Sequence, residues 1–304
     1  MTEIVDNSKA TREAPAATRF LTAQVQAGIE KQREEARQHA EQTLDRDAIA
    51  AIEETQGAID AINANTTSEA VSALERASGK INVLLARNPA TALIPVSSEI
   101  VIFDTAPEDL DAVVEIADAA DAAMVIDDYP AARALLYSLM SEFRVRTYNL
   151  PLATYPGALT EAARLLDENR KEEARLVLMA ALGTLVVIDE VTPLPLLIAR
   201  EAINEAQDRR DKDKAAAQAF LETARHELDR AMALGYAAQD PDYKALKDEI
   251  SNLQKQLKKN EDTTSLFAKL RERVSALLKR QSAGKQSHQG RSKSQQSGQE
   301  KRAA

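Results

Sequence analysis

Four stretches of this chain repeat one arrangement: an alanine, a leucine four residues on, and a small or apolar residue seven on, each behind a polar turn. They are Ala70–Leu74–Ala77, Ala132–Leu136–Leu139, Ala174–Leu178–Ala181 and Ala217–Leu221–Ala224. Positions i, i+4 and i+7 share one face of an α-helix, and small residues there let a neighbouring helix come close. Each stretch is therefore expected to be the second helix of a hairpin. The first hairpin opens with Ile49, Ile52, Ile59 and Ile62 and turns at Asn63–Glu69. The second runs from Asp109 to Met140 with its turn at Asp127–Pro130, the third from Ala158 to Leu182 with its turn at Glu168–Lys171, and the fourth from Pro195 to Leu234, turning at Asp208–Lys214. Gly235 is placed to end that last helix, since it enters the left-handed conformation without a Cβ penalty. The uneven spacing of the anchors argues against a regular solenoid.

Three segments change period. Residues 93–103 (LIPVSSEIVIF) and 145–150 (VRTYNL) are rich in β-branched and aromatic residues between polar turns, which predicts strands; residues 185–191 read as a strand or as the end of a buried helix. In the second segment the alternation puts Val145, Thr147 and Asn149 on one face and Arg146, Tyr148 and Leu150 on the other. Toward the C-terminus, Tyr243, Leu246, Ile250, Leu253 and Leu257 keep a 3-4 spacing, and Leu266, Leu270, Val274 and Leu277 answer them across a turn at Asn260–Asp262. That pattern predicts an antiparallel hairpin with a coiled-coil-like seam. The expected fold is mainly α: irregular helical hairpins with a small inserted β element, plus the C-terminal antiparallel helical hairpin. By domain the expectation is a disordered N-terminus over 1–17, a polar helical arm over 18–44, a helical domain with a minor sheet over 45–236, the hairpin over 241–280 and a disordered basic tail over 281–304.

Composition sharpens this picture. Hydrophobic residues make up 44% of the chain, yet aromatic residues only 4%, with no Trp, so alanine and leucine must fill the interior. The absence of Cys removes disulfides, thiolate metal sites and cysteine nucleophiles together. The net charge of -9 conceals an asymmetry, because Lys285, Arg291, Lys293, Lys301 and Arg302 face a single Glu300 in the tail. An acidic body repels nucleic acid, and the tail has no aromatic residue for base stacking, so no specific nucleic-acid partner is expected. No apolar run suits a membrane span or a secretion signal, which leads to the expectation of a cytoplasmic protein without a membrane partner.

Candidate chemistry is sparse. His39, His226 and His288 have neither metal-ligand spacing nor a nucleophile nearby, and the pairs Glu53-Glu54, Asp127-Asp128 and Glu172-Glu173 read as solvent-facing residues of helices and turns. Glycine-rich phosphate loops and nucleophile elbows are absent from the sequence. No catalytic, cofactor-binding or metal-binding residue is assigned, and a non-enzymatic protein is expected. The aromatic–proline cluster around Tyr148, Leu150 and Tyr155 stands out in an aromatic-poor chain. It reads as packing between sheet and helices, or as a shallow groove for a small molecule or peptide.

Two motifs carry a family resemblance: ASGKINVLLARNP at 77–89 and TYNLPLATYPGAL at 147–159, the latter followed by the third hairpin. Over residues 45–236 the chain resembles the YfdX family of bacterial stress-associated proteins. The resemblance implies a helical fold with a minor β element, self-association, a link to tolerance of heat, acid or related stress, and no catalytic residues to carry over. Many such proteins are periplasmic; this chain differs in showing no signal peptide and in adding the 241–280 hairpin and the tail. The expected function is an oligomeric scaffold or chaperone-like binder of unfolded clients, its self-association resting on alanine-rich faces and the C-terminal seam. The alternative is a small-molecule or peptide-binding module using the Tyr148/Tyr155 region.

Overall fold

The computed structural model describes residues 16–236, 240 and 242–281. Its elements begin with helices α1 (Ala16–Thr43), α2 (Arg46–Asn63) and α3 (Thr67–Arg87), then strand β1 (Leu93–Asp104). Two helix pairs alternate with the remaining strands: α4 (Leu110–Val125) and α5 (Tyr129–Tyr137), β2 (Ser141–Pro151), α6 (Tyr155–Asp167) and α7 (Lys171–Leu182), β3 (Val186–Pro193). The chain continues through α8 (Leu194–Arg209), α9 (Lys214–Ala233), α10 (Asp242–Lys258) and α11 (264–281). The described structure is 71% helical and holds one antiparallel sheet in the order β1-β2-β3. The mainly α fold with a small inserted β element is thus the one observed. The ambiguous segment 185–191 is a strand, and β2 starts at Ser141, earlier than its alternation indicated.

The hairpins share a turn that explains their polar punctuation. Asn65, Asp127 and Asn169 have φ of 62°, 58° and 61°, the left-handed region that Asn and Asp tolerate better than other residues with a side chain. Each is C′ of a Schellman motif. Asn65 N–H donates to the Ile62 carbonyl and Thr66 N–H to Ala61, and the same pair of bonds joins Asp127 to Met124 with Asp128 to Ala123, and Asn169 to Leu166 with Arg170 to Leu165. The residue after the left-handed one is already the N-cap of the next helix: Thr66, Asp128 or Arg170. Each anchor alanine then lies at a fixed place in the first turn, with Ala70, Ala132 and Ala174 N–H bonded to those three N-cap carbonyls. The α8–α9 link is longer, and its N-cap Asp213 accepts from Ala216 N–H. Gly235, at φ 79°, is C′ of α9 as expected, and Asn260 ends α10 in the same manner.

The contacts divide the chain into two units. In the unit formed by Arg33–Phe103 and Phe143–Val191, α2, α3, α6 and α7 pack together with apolar residues of the sheet. Ala51, Ala58, Ala70, Ala77, Ala162 and Ala174 are buried where helices meet, and Leu74, Ile81, Leu84, Leu159 and Leu178 fill between them. Burial of each such large side chain stabilises by about 2 kcal/mol. In the described part of the unit formed by Met1–Gln32, Asp104–Glu142 and Thr192–Ala304, α8 and α9 supply Leu196, Ile203, Phe220, Leu221 and Leu228. The α10 seam and Phe267, Leu270, Val274 and Leu277 of α11 join that same core. The seam residues are therefore covered within the chain, which removes them as apolar surface for self-association.

One anchor triad departs from the pattern. Ala132 is buried, but Leu136 is 53% exposed and Leu139 lies beyond the end of α5. On this short helix Ala132 and the half-buried Leu135 face inward, and among the described residues no neighbouring helix covers Leu136 as helices cover Leu74, Leu178 and Leu221. Of the disordered N-terminus expected over 1–17 and the basic tail over 281–304, residues 1–15 and 282–304, His288 included, lie outside the described residues, while Ala16 and Ala17 open α1 and Gln281 ends α11.

Candidate functional site

The aromatic–proline cluster separates by depth. Leu150 and Tyr155 are core side chains at 0% and 1% exposure, and the Tyr155 hydroxyl donates to Thr55 Oγ1 at 2.9 Å, which itself donates to the Ala51 carbonyl. Burial pushes the Tyr155 hydroxyl pKa up, with the Thr55 hydrogen bond opposing. Tyr148 is half-buried against the same core, its hydroxyl donating to Glu99 Oε1 at 3.0 Å. The three residues lie together in one unit, with Leu150 and Tyr155 closed off from solvent.

Arg146, on the same face of β2 as Tyr148 and Leu150, makes a two-pronged contact across the sheet. Its Nε and Nη2 donate to Asp189 Oδ1 and Oδ2 at 2.7 and 2.9 Å, and Glu99 lies 3.5 Å away. The Arg146 hydrogen bond, with help from Arg144, holds the Asp189 carboxyl below its usual range. This pair fixes β3 against β2 by paired, forked geometry.

Of the acidic pairs, Glu53 is exposed and the other five residues have structural roles. Glu54 binds Arg76, Glu172 binds Arg175 and Glu173 binds Arg170, while Asp127 takes the left-handed turn position and Asp128 caps α5. His39 and His226 are not buried, and among the described residues no group of three or more metal-ligating side chains converges. A surface cleft of about 580 Å³ between α2 and α3 has mixed lining that includes Asp60, Glu69 and Arg76.

Two features were not anticipated. The first is a buried polar network on α9. Arg230, 2% exposed, donates to Asp104 Oδ1 and the Ala106 carbonyl at 2.7 Å each and to the Pro107 carbonyl at 3.1 Å. Ser141 Oγ donates to the same Asp104 oxygen at 2.8 Å, and Tyr236 Oη accepts from Ser141 N–H and donates to Glu142 Oε1. Glu227, one turn before Arg230, is 8% exposed, with Oε2 at 3.5 Å from Arg230 Nη1 and no hydrogen bond to that oxygen. Burial raises its pKa from 4.5 to about 7; Arg230 pulls against that shift, and the charges of Asp104 and Glu108 add to it. The arrangement ties the 104–107 segment to α9.

The second is an apolar face on the α4–α5 hairpin. Met124, Val125 and Ile126 at the end of α4 are exposed, the last two at 83% and 74%, as are Tyr129, Leu136 and Tyr137 of α5. Tyr129, Ala132, Arg133, Leu136, Tyr137 and Met140 follow helical spacing and, with Met124, line a groove of about 430 Å³. Single exposed apolar side chains are ordinary, whereas a contiguous set lining a concavity is a candidate for a binding surface. The Tyr129 hydroxyl donates to Asp127 Oδ1 at 2.6 Å, holding the ring at the mouth of the turn.

The fold and this face together define a helical-hairpin protein with an inserted sheet and an exposed apolar groove. Residues 51–191 match the model of the YfdX family, described as YfdX protein, and over this stretch the chain is similar to that family. The match is narrower than the 45–236 span of the resemblance, and it contains both the ATYPGAL segment, with Tyr155 and Leu159 in the core, and the α4–α5 groove. Among solved structures the chain is similar to a crystal structure of Salmonella Typhi YfdX, at 16% identity, covering 50% of this chain and 93% of that one, with a TM-score of 0.34. No curated protein matches the chain. Among the described residues no helix is long and apolar enough to cross a membrane.

Proposed function

We propose that this protein is a non-enzymatic, chaperone-like binder that holds partly unfolded client proteins on the α4–α5 face, in the service of tolerance to heat, acid or related stress. The observation that carries the binding role is the exposed apolar set Met124, Tyr129, Leu136 and Tyr137 lining one groove, with Val125 and Ile126 exposed next to Met124 in the chain. A monomer leaves such a surface wet only at a cost to solubility, and the excess of carboxylates on the same hairpin offsets that cost. The stress-related part of the reading is supported by the family resemblance. Self-association is part of the proposal, and here the support comes from β3, an edge strand of the sheet with Val186, Val187 and Ile188 exposed.

Turbidity of a heated, unrelated enzyme tests the binding role. The full chain is expected to delay aggregation without ATP, and a variant carrying Ile126→Asp and Leu136→Asp is expected to lose that effect while keeping its melting temperature, since both side chains face solvent. Equal turbidity with and without a several-fold molar excess of the parent protein overturns the reading. A chain truncated after Gln281 separates the groove from the basic tail: client capture is expected to survive the truncation.

A further inference from the structure

The groove has a charge as well as a shape. Between residues 108 and 140 the chain carries eight carboxylates, every one exposed, against a single basic side chain, Arg133. Asp118 and Asp121 lie along α4 ahead of Met124, and Asp127 and Asp128 stand at the turn beside Tyr129. The groove floor is apolar, built from two antiparallel helices joined by a tight turn, and its α5 side presents residues at i, i+3, i+4, i+7 and i+8. That spacing is complementary to the apolar stripe of another helix. The nine residues of α5 span roughly 14 Å, about the length of two to three turns of a docked helix.

We propose that this groove docks a basic amphipathic helix of a partner protein, with its apolar stripe against Met124, Leu136 and Tyr137 and its Lys or Arg flanks beside the carboxylates of α4 and the turn. The inference rests on the binding role proposed for this face and adds the chemistry of the occupant. Charge selects among occupants. A second copy of the same hairpin would bring like charge to like, and an anionic membrane or a nucleic acid would be repelled. A basic helix alone gains from both the apolar floor and the acidic rim.

The test uses the full chain and two labelled synthetic peptides of identical length and leucine pattern, one with lysine and one with glutamate on the polar face, followed by fluorescence anisotropy at low and high salt. The lysine peptide is expected to bind, more weakly as salt rises, and the glutamate peptide to bind at least tenfold more weakly. Arg133→Glu is expected to tighten the lysine peptide several-fold, a gain that a misfolded variant would not produce. Asp118→Lys with Asp121→Lys is expected to weaken it by about tenfold, and Leu136→Asp to abolish it. Equal affinity for both peptides, or an Arg133→Glu variant with unchanged affinity, overturns the inference. So does a dimer, seen without peptide by sedimentation, that Leu136→Asp dissolves, because that result assigns the groove to a second copy. If the parent suppresses client aggregation but shows no preference for the lysine peptide, the client-binding role stands and this inference falls; charge-selective peptide binding without aggregation suppression gives the reverse.

Discussion

Glu227→Gln should change how stability depends on pH, and the expected size follows from the surroundings of the side chain. Glu227 sits 8% exposed beside Arg230, Asp104 and Glu108, with a pKa raised from 4.5 to about 7 chiefly by burial. The folded state therefore holds the Glu227 proton more tightly than the unfolded chain does. Its contribution to stability is complete below the unfolded value, and is lost as the pH rises through the folded one. A pKa change of this size corresponds to about 3 kcal/mol between those limits. Gln cannot ionise, is nearly isosteric, and can turn its amide oxygen toward Arg230 Nη1. Below the unfolded pKa the two proteins should be similar in stability, and as the pH climbs to about 8 the Gln variant should gain on the parent by up to that amount. Urea unfolding of both proteins over the pH series measures the difference directly, and the difference cancels groups common to both. Asp189, held below its usual range by Arg146, contributes stability that is lost only as the pH falls, in parent and variant alike. A difference curve that stays flat through neutrality would refute the reasoning. One that favours the parent above neutrality would mean that the attraction to Arg230 outweighs the desolvation of Glu227.

Leu178→Asp places an unpaired carboxylate at a fully buried position of α7 and should cost at least about 4 kcal/mol; an unchanged melting temperature would remove Leu178 from the core. Asn169→Val forces a β-branched residue to φ 61° and should cost roughly 1–2 kcal/mol in urea titration, whereas Asn169→Gly should be close to neutral. Tyr155→Phe deletes the hydroxyl that donates to Thr55 and should cost about 1 kcal/mol in thermal unfolding; a variant of parental stability would argue that this bond adds nothing to the fold. Val187→Lys puts a charge on the exposed β3 edge and should lower any self-association seen by light scattering across a concentration series; assembly that persists unchanged would exclude that edge.

Much of the architecture was legible because it is written in short-range pattern. A polar left-handed residue followed five positions later by alanine marks the start of each second helix of the first three hairpins. The mechanism is local: a Schellman turn, an N-cap and one buried small side chain. The strands were legible from β-branched runs, although the start of β2 at Ser-Glu-Phe was not, since those residues together have no strand bias. Leu136 shows where pattern misleads. In α3, α7 and α9 the residue four beyond the anchor alanine is buried by neighbouring helices, whereas α5 is a nine-residue helix with an exposed outer stripe. Nothing within the heptad distinguishes the two cases.

The Arg230 network was beyond reach for a different reason. Arg230 meets Asp104 across 126 positions and Ala106 across 124, so no spacing rule relates them. The one sequence signal available was negative: in the stretch His226–Arg230 an ordinary surface turn of a helix would show all of its charges to solvent, yet Leu228 and Ala231 need burial on a face that also takes in Glu227 and Arg230. Once two opposite charges share a buried face, each requires further partners, because a lone ion pair rarely recovers its desolvation. Arg230 finds them in Asp104 and two carbonyls; Glu227 does not, and its Oε2 is left without a hydrogen bond. Burial with that oxygen left unpaired is why Glu227 holds its proton up to near-neutral pH.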